Sequence, residues 1–228
     1  MIPSNVASCP NEQSFPPQNT EIIRSVKHFV VENIRTIRRF LKSIDKAIDI
    51  DALTMTELSE HTADIDIPAM LQAAEAGEDV GMISEAGCPG VADPGAALAA
   101  EAHRRGIQVV PLVGPSSLLM SLMASGLNGQ NFAFRGYLPV GNELSKTIRQ
   151  MEERSQKESQ TQIFIEAPYR NDKMYQTLLS NLHSETRLCI ARDVMGPEEL
   201  IATHKISEWK KLKAPELHKR PTVFLFLS

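Results

Sequence analysis

Residues Gly81 to Gly95 read GMISEAGCPGVADPG. An apolar run ends at Ser84 and gives way to Gly87, Gly90 and Gly95, to Pro89 and Pro94, and to the carboxylates Glu85 and Asp93. Glycine permits backbone conformations closed to other residues and lets a ligand approach the main chain. Proline stiffens the turn. Such a loop binds through N–H and C=O groups more than through side chains. A second loop of this kind follows one unit later, PLVGPSS from Pro111 to Ser117. There Gly114 and Pro115 lead into Ser116 and Ser117 at the start of a helical pattern, where free N–H groups can hold an anion or a carboxylate. Neither loop matches GxGxxG or the Walker pattern GxxxxGKS/T. Each alone reads equally well as a tight strand-to-helix turn. As a pair they carry more, because both should lie along one sheet edge, at the carboxyl ends of strands, where α/β folds bind ligands.

The elements that position these loops alternate along the chain. VKHFVVEN (26–33) reads as a strand, and IRTIRRFLKSIDKAI (34–48) as a helix with Ile34, Ile37, Leu41, Ile44 and Ile48 on one face. DIPAMLQAAEAG reads as a helix stopped by Gly77, DVGMIS as a short buried strand, and PGAALAAEAHRRG as a helix ended by Gly106, with Asp93 as its N-cap. IQVVPLV is a further strand, and PSSLLMSLMASG a helix whose Met120, Met123 and leucines face the core. The second half repeats the alternation. NFAFRGYL, TQIFIEAP, TRLCIARDV and RPTVFLFLS read as strands; ELSKTIRQMEERSQKES and YRNDKMYQTLLSNL read as helices. This is an α/β chain, largely parallel in its first half. A loop-rich joint at GLNGQN (126–131) divides it into domains spanning 1–127 and 128–228.

With 228 residues the chain can build one large core or two small ones. Its net charge of −4 argues against nucleic-acid binding by overall charge, so any such contact needs a local basic patch. Cys9, Cys88 and Cys189 are odd in number and far apart, giving neither a disulfide framework nor a zinc pattern. Reduced thiols in the cytoplasm and no metal are expected. The opening residues do not read as a cationic, apolar signal peptide, and the longest apolar stretch, Val109 to Leu127, is broken by Gly114, Pro115 and serines, so no membrane span is expected.

The run ISEAGCPGVADPG…VVPLVGPSSLLMSLMASGL…FAFRGYLP resembles the tetrapyrrole-methylase superfamily of S-adenosylmethionine-dependent methyltransferases. Within it, the chain is similar to the ribosomal RNA small-subunit methyltransferase I branch. The matching residues are Ser84, Ala86, Gly87, Pro89, Asp93, Pro94 and Gly95; Pro111, Gly114, Pro115 and Ser116; Ser125 to Leu127; and Gly136 to Pro139. IFIEAPYRN resembles a later strand followed by a glutamate and an arginine. The resemblance implies two α/β domains with S-adenosylmethionine in a cleft between them, no metal, and a homodimer. Carried over, it implies donor contacts at Pro3, at Gly87, Cys88 and Val91, and at Gly114, Pro115, Ser116 and Ser117. From the second half it implies contacts at Ala167, Pro168, Ala191, Arg192 and Thr222. Two departures stand out. Glu85 replaces the commoner aspartate. Only Met1 and Ile2 precede Pro3, so the opening strand is truncated or its turn has diverged.

For ribose methylation a 2′-hydroxyl must lose a proton. Glu85, Asp93 and Glu166 are candidate bases or orienters, and Arg170 could hold a phosphate. Glu166 and Arg170 read equally well as a structural ion pair. Arg35, Arg38, Arg39, Lys42 and Lys46 form a basic stripe that could contact phosphates or simply face solvent. Lys210, Lys211, Lys213, Lys219 and Arg220 carry the same ambiguity, and His28 and His61 are further candidates to face the cleft. Three readings remain open: 2′-O-methylation of small-subunit ribosomal RNA, methylation of a small substrate such as a tetrapyrrole precursor, and a non-catalytic RNA-binding protein on the same fold.

Overall fold

The computed structural model describes residues 1–59 and 61–228. The chain divides into two compact units, Met1–Ser116 and Ser117–Ser228. The division falls one helix before the joint expected at 127/128, because the helix beginning at Ser117 packs on the sheet of the second unit.

In the first unit, helix α1 (Pro17–Ser25) precedes β1 (His28–Val31), α2 (Ile34–Ile44), β2 (Thr54–Glu57), a 3-10 segment (Asp64–Leu71), α3 (Gln72–Glu75), β3 (Val80–Ile83) and α4 (Gly95–Arg104). The sheet order is β2-β1-β3, with both pairings parallel. Parallel strands are covered on both faces and so read as continuous apolar runs, as HFVV and VGMI do. Phe29, Val31, Ile37, Leu41 and Ile23 form one covering layer; Val30, Met82, Leu71 and Leu98 form the other. The Asn33 side chain accepts from the Thr36 amide at the start of α2, an N-cap that satisfies a donor the helix cannot. The helix ends at Ile44, not at Ile48. Asp45 turns extended and accepts from the Ala47 amide, and it pairs with Arg24 at 2.7 Å.

Two expectations fail here. DIPAMLQAAEAG is α-helical only over Gln72–Glu75 and 3-10 before it, because Pro68 lies inside it and removes an α-helical donor. IQVVPLV (107–113) is not a regular strand. It lies against Met1, whose amino group donates to Val110 O at 3.0 Å and whose carbonyl accepts from the Leu112 amide at 2.9 Å.

The second unit holds α5 (Ser117–Ser125), β4 (Phe132–Tyr137), α6 (Glu143–Glu158), β5 (Thr161–Ile165), α7 (Asn171–Asn181), β6 (Arg187–Arg192), β7 (Leu200–Lys205), α8 (Ile206–Trp209) and β8 (Thr222–Leu227). The order is β4-β5-β8-β6-β7, parallel only between β4 and β5. Alternation along β8 sends Phe224 and Phe226 into one layer with Phe164, Leu178 and Trp209, and Val223 and Leu225 into the other with Ile163 and Leu122. Burying each phenylalanine contributes about 1.5–3 kcal/mol. The α/β class is as the alternation implied. On α5, however, Met123 is 83% exposed and Leu119 51%, so only Leu122 and its neighbours face this core.

Candidate active site

Three chain segments meet at the carboxyl edge of the first sheet. Ile2 bridges Ile83 in parallel fashion and Ser4 bridges Gly87. The Ser4 amide donates to Gly87 O at 2.9 Å, and the Gly87 amide returns a bond to Ser4 O at 3.2 Å. Gly87 has φ +76, a conformation that glycine adopts without strain. The Cys88 thiol donates to Pro115 O at 3.4 Å, tying the first glycine-proline loop to the second. Gly114 lies so close to Pro3 that a Cβ there would stand 2.3 Å from the proline Cβ. Pro3, Gly87, Cys88, Gly114 and Pro115 therefore share one rim, walled mostly by main chain.

Val91 is exposed beside this rim, and Ala92 adopts φ +60, uncommon for a residue with a side chain. Asp93 Oδ1 accepts from the Gly90 amide at 2.8 Å and the Gly95 amide at 2.7 Å, while Oδ2 is buried with no hydrogen-bond partner among the described residues. Asp93 thus fastens the loop to the start of α4, where Pro94 takes the cap position expected of Asp93. Burial first, then the nearby Asp93 charge, pushes the Cys88 thiol above its ordinary pKa and so disfavours its thiolate.

Glu85 is exposed. Its Oε1 accepts from the Thr36 hydroxyl at 3.2 Å, and its amide donates to Glu32 Oε2 at 3.0 Å. Glu32, Thr36 and Ser4 escaped the reading of the sequence, although Glu32 directly follows a strand and so had to lie at this edge. Ser4 Oγ is buried, with no hydrogen-bond partner among the described residues. Beside Glu85, α2 presents Arg35 and Arg39 to solvent, with no ion pair for either among the described residues. Arg38 pairs with Asp51, and Lys42 donates to the carbonyls of Lys46 and Ile48. The stripe is thereby narrower than its sequence. His28 begins β1, at the opposite edge, and pairs with Glu78 at 2.9 Å. His61 is exposed in a turn.

In the second unit, the candidates likewise gather at one sheet edge. β5 and β6 end there and β8 begins there, so Ala167 and Pro168 follow β5, while Arg192, next to buried Ala191, pairs in register with Thr222. Glu166 is buried and its Oε1 accepts from the Ala167 amide at 2.7 Å and from Arg170 at 3.0 and 2.6 Å. The Arg170 guanidinium also lies 5.6 Å from the Tyr169 ring centroid. Arg192 donates to the carbonyls of Glu198 and Glu216, pinning two loops, and the Thr222 hydroxyl donates to Arg220 O. Ser117 opens α5, and Ser116 is half-buried just before it. Lys210, Lys211, Lys213 and Lys219 are exposed, and Arg220 pairs with Glu198 at 2.6 Å.

Comparison with known proteins fits this geometry. No family model matches the chain. It is 38% identical over 150 residues to the ribosomal RNA small subunit methyltransferase I of Mesorhizobium japonicum, covering 65% of this chain and 49% of that protein. It is 29% identical over 188 residues to the protein of the same name from Vibrio cholerae, covering 82% and 62%. A crystal structure of the methyltransferase CobJ superposes with a TM-score of 0.62 at 20% identity, covering 95% of this chain and 89% of that one. The sequence thus resembles proteins named ribosomal RNA small subunit methyltransferase I over most of the chain, and the fold is that of a methyltransferase structure. It has the fold of the CobJ structure, while it spans only about half to two-thirds of the length of these curated relatives. Among the described residues, no helix is long and apolar enough to cross a membrane.

Proposed function

We propose that this chain transfers a methyl group from S-adenosylmethionine to a ribose 2′-hydroxyl of small-subunit ribosomal RNA, working as a homodimer. The observation that carries the reading is the main-chain rim formed by Pro3–Ser4, Gly87–Cys88 and Gly114–Pro115, in a chain whose relatives are named for methylating ribosomal RNA. The rim fits a nucleoside donor. Its glycine at position 87 keeps side chains away, and a Cβ there would meet nothing nearer than 3.5 Å.

When bound, S-adenosylmethionine supplies a methyl carbon on sulfonium, which the ribose oxygen displaces in line from sulfur. The chain's own task is chiefly placement, since holding two reactants in line replaces most of the entropy a bimolecular step would lose. Glu85 is the carboxylate we assign to take the 2′-hydroxyl proton, because it is open to solvent and the Thr36 hydroxyl orients it. Asp93 holds the loop in shape. In the second unit, Ala167, Pro168, Ala191, Arg192 and Thr222 lie at one sheet edge as candidate donor contacts, and the Glu166–Arg170 pair sets the strand end that carries the first two of them. Arg35 and Arg39 meet RNA phosphates.

Calorimetric titration with S-adenosylmethionine is expected to show one site per chain. Labelled methyl transferred to small-subunit RNA should survive alkaline hydrolysis within an uncleaved dinucleotide, as only 2′-O-methylation allows. Absence of binding at millimolar donor would remove the enzyme reading altogether. Transfer to bases, or only to small acceptors, would remove the ribose assignment.

A further inference from the structure

A cleft of about 470 Å³ lies in the second unit, lined by the edge strand β4 and by α6. That is within the roughly 300–1,000 Å³ usual for ligand sites. Arg135 lines it from β4; Thr147, Gln150, Met151 and Arg154 line it from α6, at the spacing that puts them on one helical face. Among the described residues, no aspartate or glutamate lines the cleft, although the chain carries 28 acidic residues against 24 basic ones. The cleft is cationic in an acidic protein.

Arg135 is held by a relay of neutral carboxamides. Its Nε donates to Gln162 Oε1 at 2.8 Å and its Nη2 to Gln160 Oε1 at 3.3 Å. Gln162 Nε2 donates to Gln160 Oε1 at 2.9 Å, Gln160 Nε2 to Asn131 Oδ1 at 2.9 Å, and Asn131 Nδ2 to Glu158 O at 2.8 Å. Gln162 is fully buried. A carboxamide in that position costs stability unless it is hydrogen-bonded, and here its bonds fix the plane of one guanidinium. Arg24, Arg38 and Arg170 each meet a carboxylate. Arg135 meets only dipoles, which orient its charge without cancelling it, and its Nη1 has no partner among the described residues. The strand is also bulged at this point. Phe134 pairs with Ile163 and Tyr137 with Ile165, so Arg135 and Gly136 stand opposite Phe164 alone; bulges of this kind re-aim a side chain at a sheet edge. The second cation is adjustable. Arg154 pairs with Glu158 at 3.3 Å with both side chains exposed, and such a pair contributes little, so Arg154 turns toward an anion at small cost.

We propose that this cleft binds a phosphate of the RNA backbone, with Arg135 as the fixed contact and Arg154 as the adjustable one. A planar guanidinium with free N–H groups matches two oxygens of a phosphodiester, and contacts of this kind position an RNA without reading its bases. The choice of RNA rests on the methylation reading; the cationic cleft does not.

Filter binding of small-subunit ribosomal RNA to the full chain over a salt series, without methyl donor, tests this. Arg135→Gln should weaken binding about fivefold near physiological salt and lower the slope of log K against log salt by about 0.7–0.9, the value of one phosphate contact. Arg135→Lys should restore the slope but only part of the affinity, because it keeps the charge and loses the fork. Arg154→Gln, at an exposed position, should lower the slope by a similar step and keeps the test decisive if Arg135→Gln unfolds. Arg149→Gln removes the same charge from α6 outside the cleft and should leave the slope as it is. Unchanged slopes for Arg135→Gln and Arg154→Gln, or an equal drop for Arg149→Gln, would overturn the proposal. Inorganic phosphate should shift the Arg135 Nε–H resonance; that shift without any slope change toward RNA would assign the cleft to free phosphate and overturn the RNA assignment. Slopes that fall as expected in a chain that transfers no methyl group would overturn the methylation reading alone.

Discussion

Replacing Gly114 by alanine tests whether the amino-terminal stub is held as described. The added methyl would stand 2.3 Å from Pro3 Cβ and 2.5 Å from its Cγ, whereas carbon atoms settle at about 3.5–4.0 Å. One partner has to move by roughly 1 Å or more. Pro3 cannot turn its ring away, because the ring is part of the backbone and its neighbours are bonded on both sides: Ile2 to Met82 O at 2.8 Å, and Ser4 to and from Gly87 at 2.9 and 3.2 Å. Relief therefore strains those three hydrogen bonds or shifts the Gly114–Pro115 loop from Cys88. Overpacking of this kind costs about 1–3 kcal/mol, and at this chain length each kcal/mol lowers Tm by roughly 2–4 °C. Gly114→Ala should melt about 2–12 °C lower, and it should bind S-adenosylmethionine at least about tenfold more weakly, a change of about 1.4 kcal/mol. Gly129→Ala is the control. Its methyl meets nothing within 4 Å and its φ is not positive, so it should stay within about 0.5 kcal/mol of the parent. Equal melting of the two variants by calorimetry would refute the packing of Pro3 on Gly114 and, with it, the shared rim.

Gly87→Val puts a β-branched residue at φ +76 without a close contact, costing about 1–3 kcal/mol of local strain; calorimetry should find donor binding lost and a single cooperative melt kept. Arg35→Glu with Arg39→Glu should weaken RNA binding, lower the slope of log K against log salt by about 1–2, and leave donor affinity unchanged; an unaltered slope would remove these residues from the interface. Arg170→Ala leaves the nearly inaccessible Glu166 carboxylate with little but the Ala167 amide, at a cost of about 1.5–3 kcal/mol in denaturant unfolding, and Arg170→Lys should recover only part because it cannot fork. Hydrogen bonds from Arg104 and then Arg105 hold Glu101 at a pKa of about 2, against an ordinary 4.5. A depressed carboxylate stabilises the fold above the unfolded pKa and loses that contribution as pH falls through the folded one, so the stability of the first unit should decline between about pH 4.5 and 2, and Glu101→Gln should flatten that decline.

The segments legible in the sequence are those whose signal is local. The Asn33 cap and the isoleucine spacing specified α2, and Gly106 and Gly126, at φ +70 and +68, stop α4 and α5 where a left-handed residue was needed. The two glycine-proline loops were legible for the same reason, since their conformations are written in residue type. The edge strands β2 and β7 were not. β2, TMTE, and β7, LIATHK, are exposed or half-buried along their whole length, so neither shows the apolar run or the clean alternation on which strand assignment rests. Ile107–Val113 failed in the opposite sense. Its composition suits a strand, but pairing belongs to two segments, and its bonds to Met1 are made only through Val110 O and the Leu112 amide. Met123 shows the matching limit for helices, because periodicity identifies an apolar face without saying what covers it.

The carboxylates show why loop chemistry is legible before roles are. Glu85 and Asp93 lie in the same loop, eight positions apart, and the sequence offers no ground for separating them. Geometry does. Asp93 Oδ1 is occupied by two amides of its own loop, Gly90 and Gly95, and a carboxylate engaged that way clasps the backbone. Glu85 keeps its carboxylate in solvent, with Oε1 held by a hydroxyl from a neighbouring helix. A carboxylate that fixes the backbone and one that meets a substrate proton are therefore told apart by who donates to them. Those donors come from Thr36 in one case and from adjacent glycines in the other, so only the tertiary pairing of β1 with β3, which brings α2 against the loop, makes the distinction available.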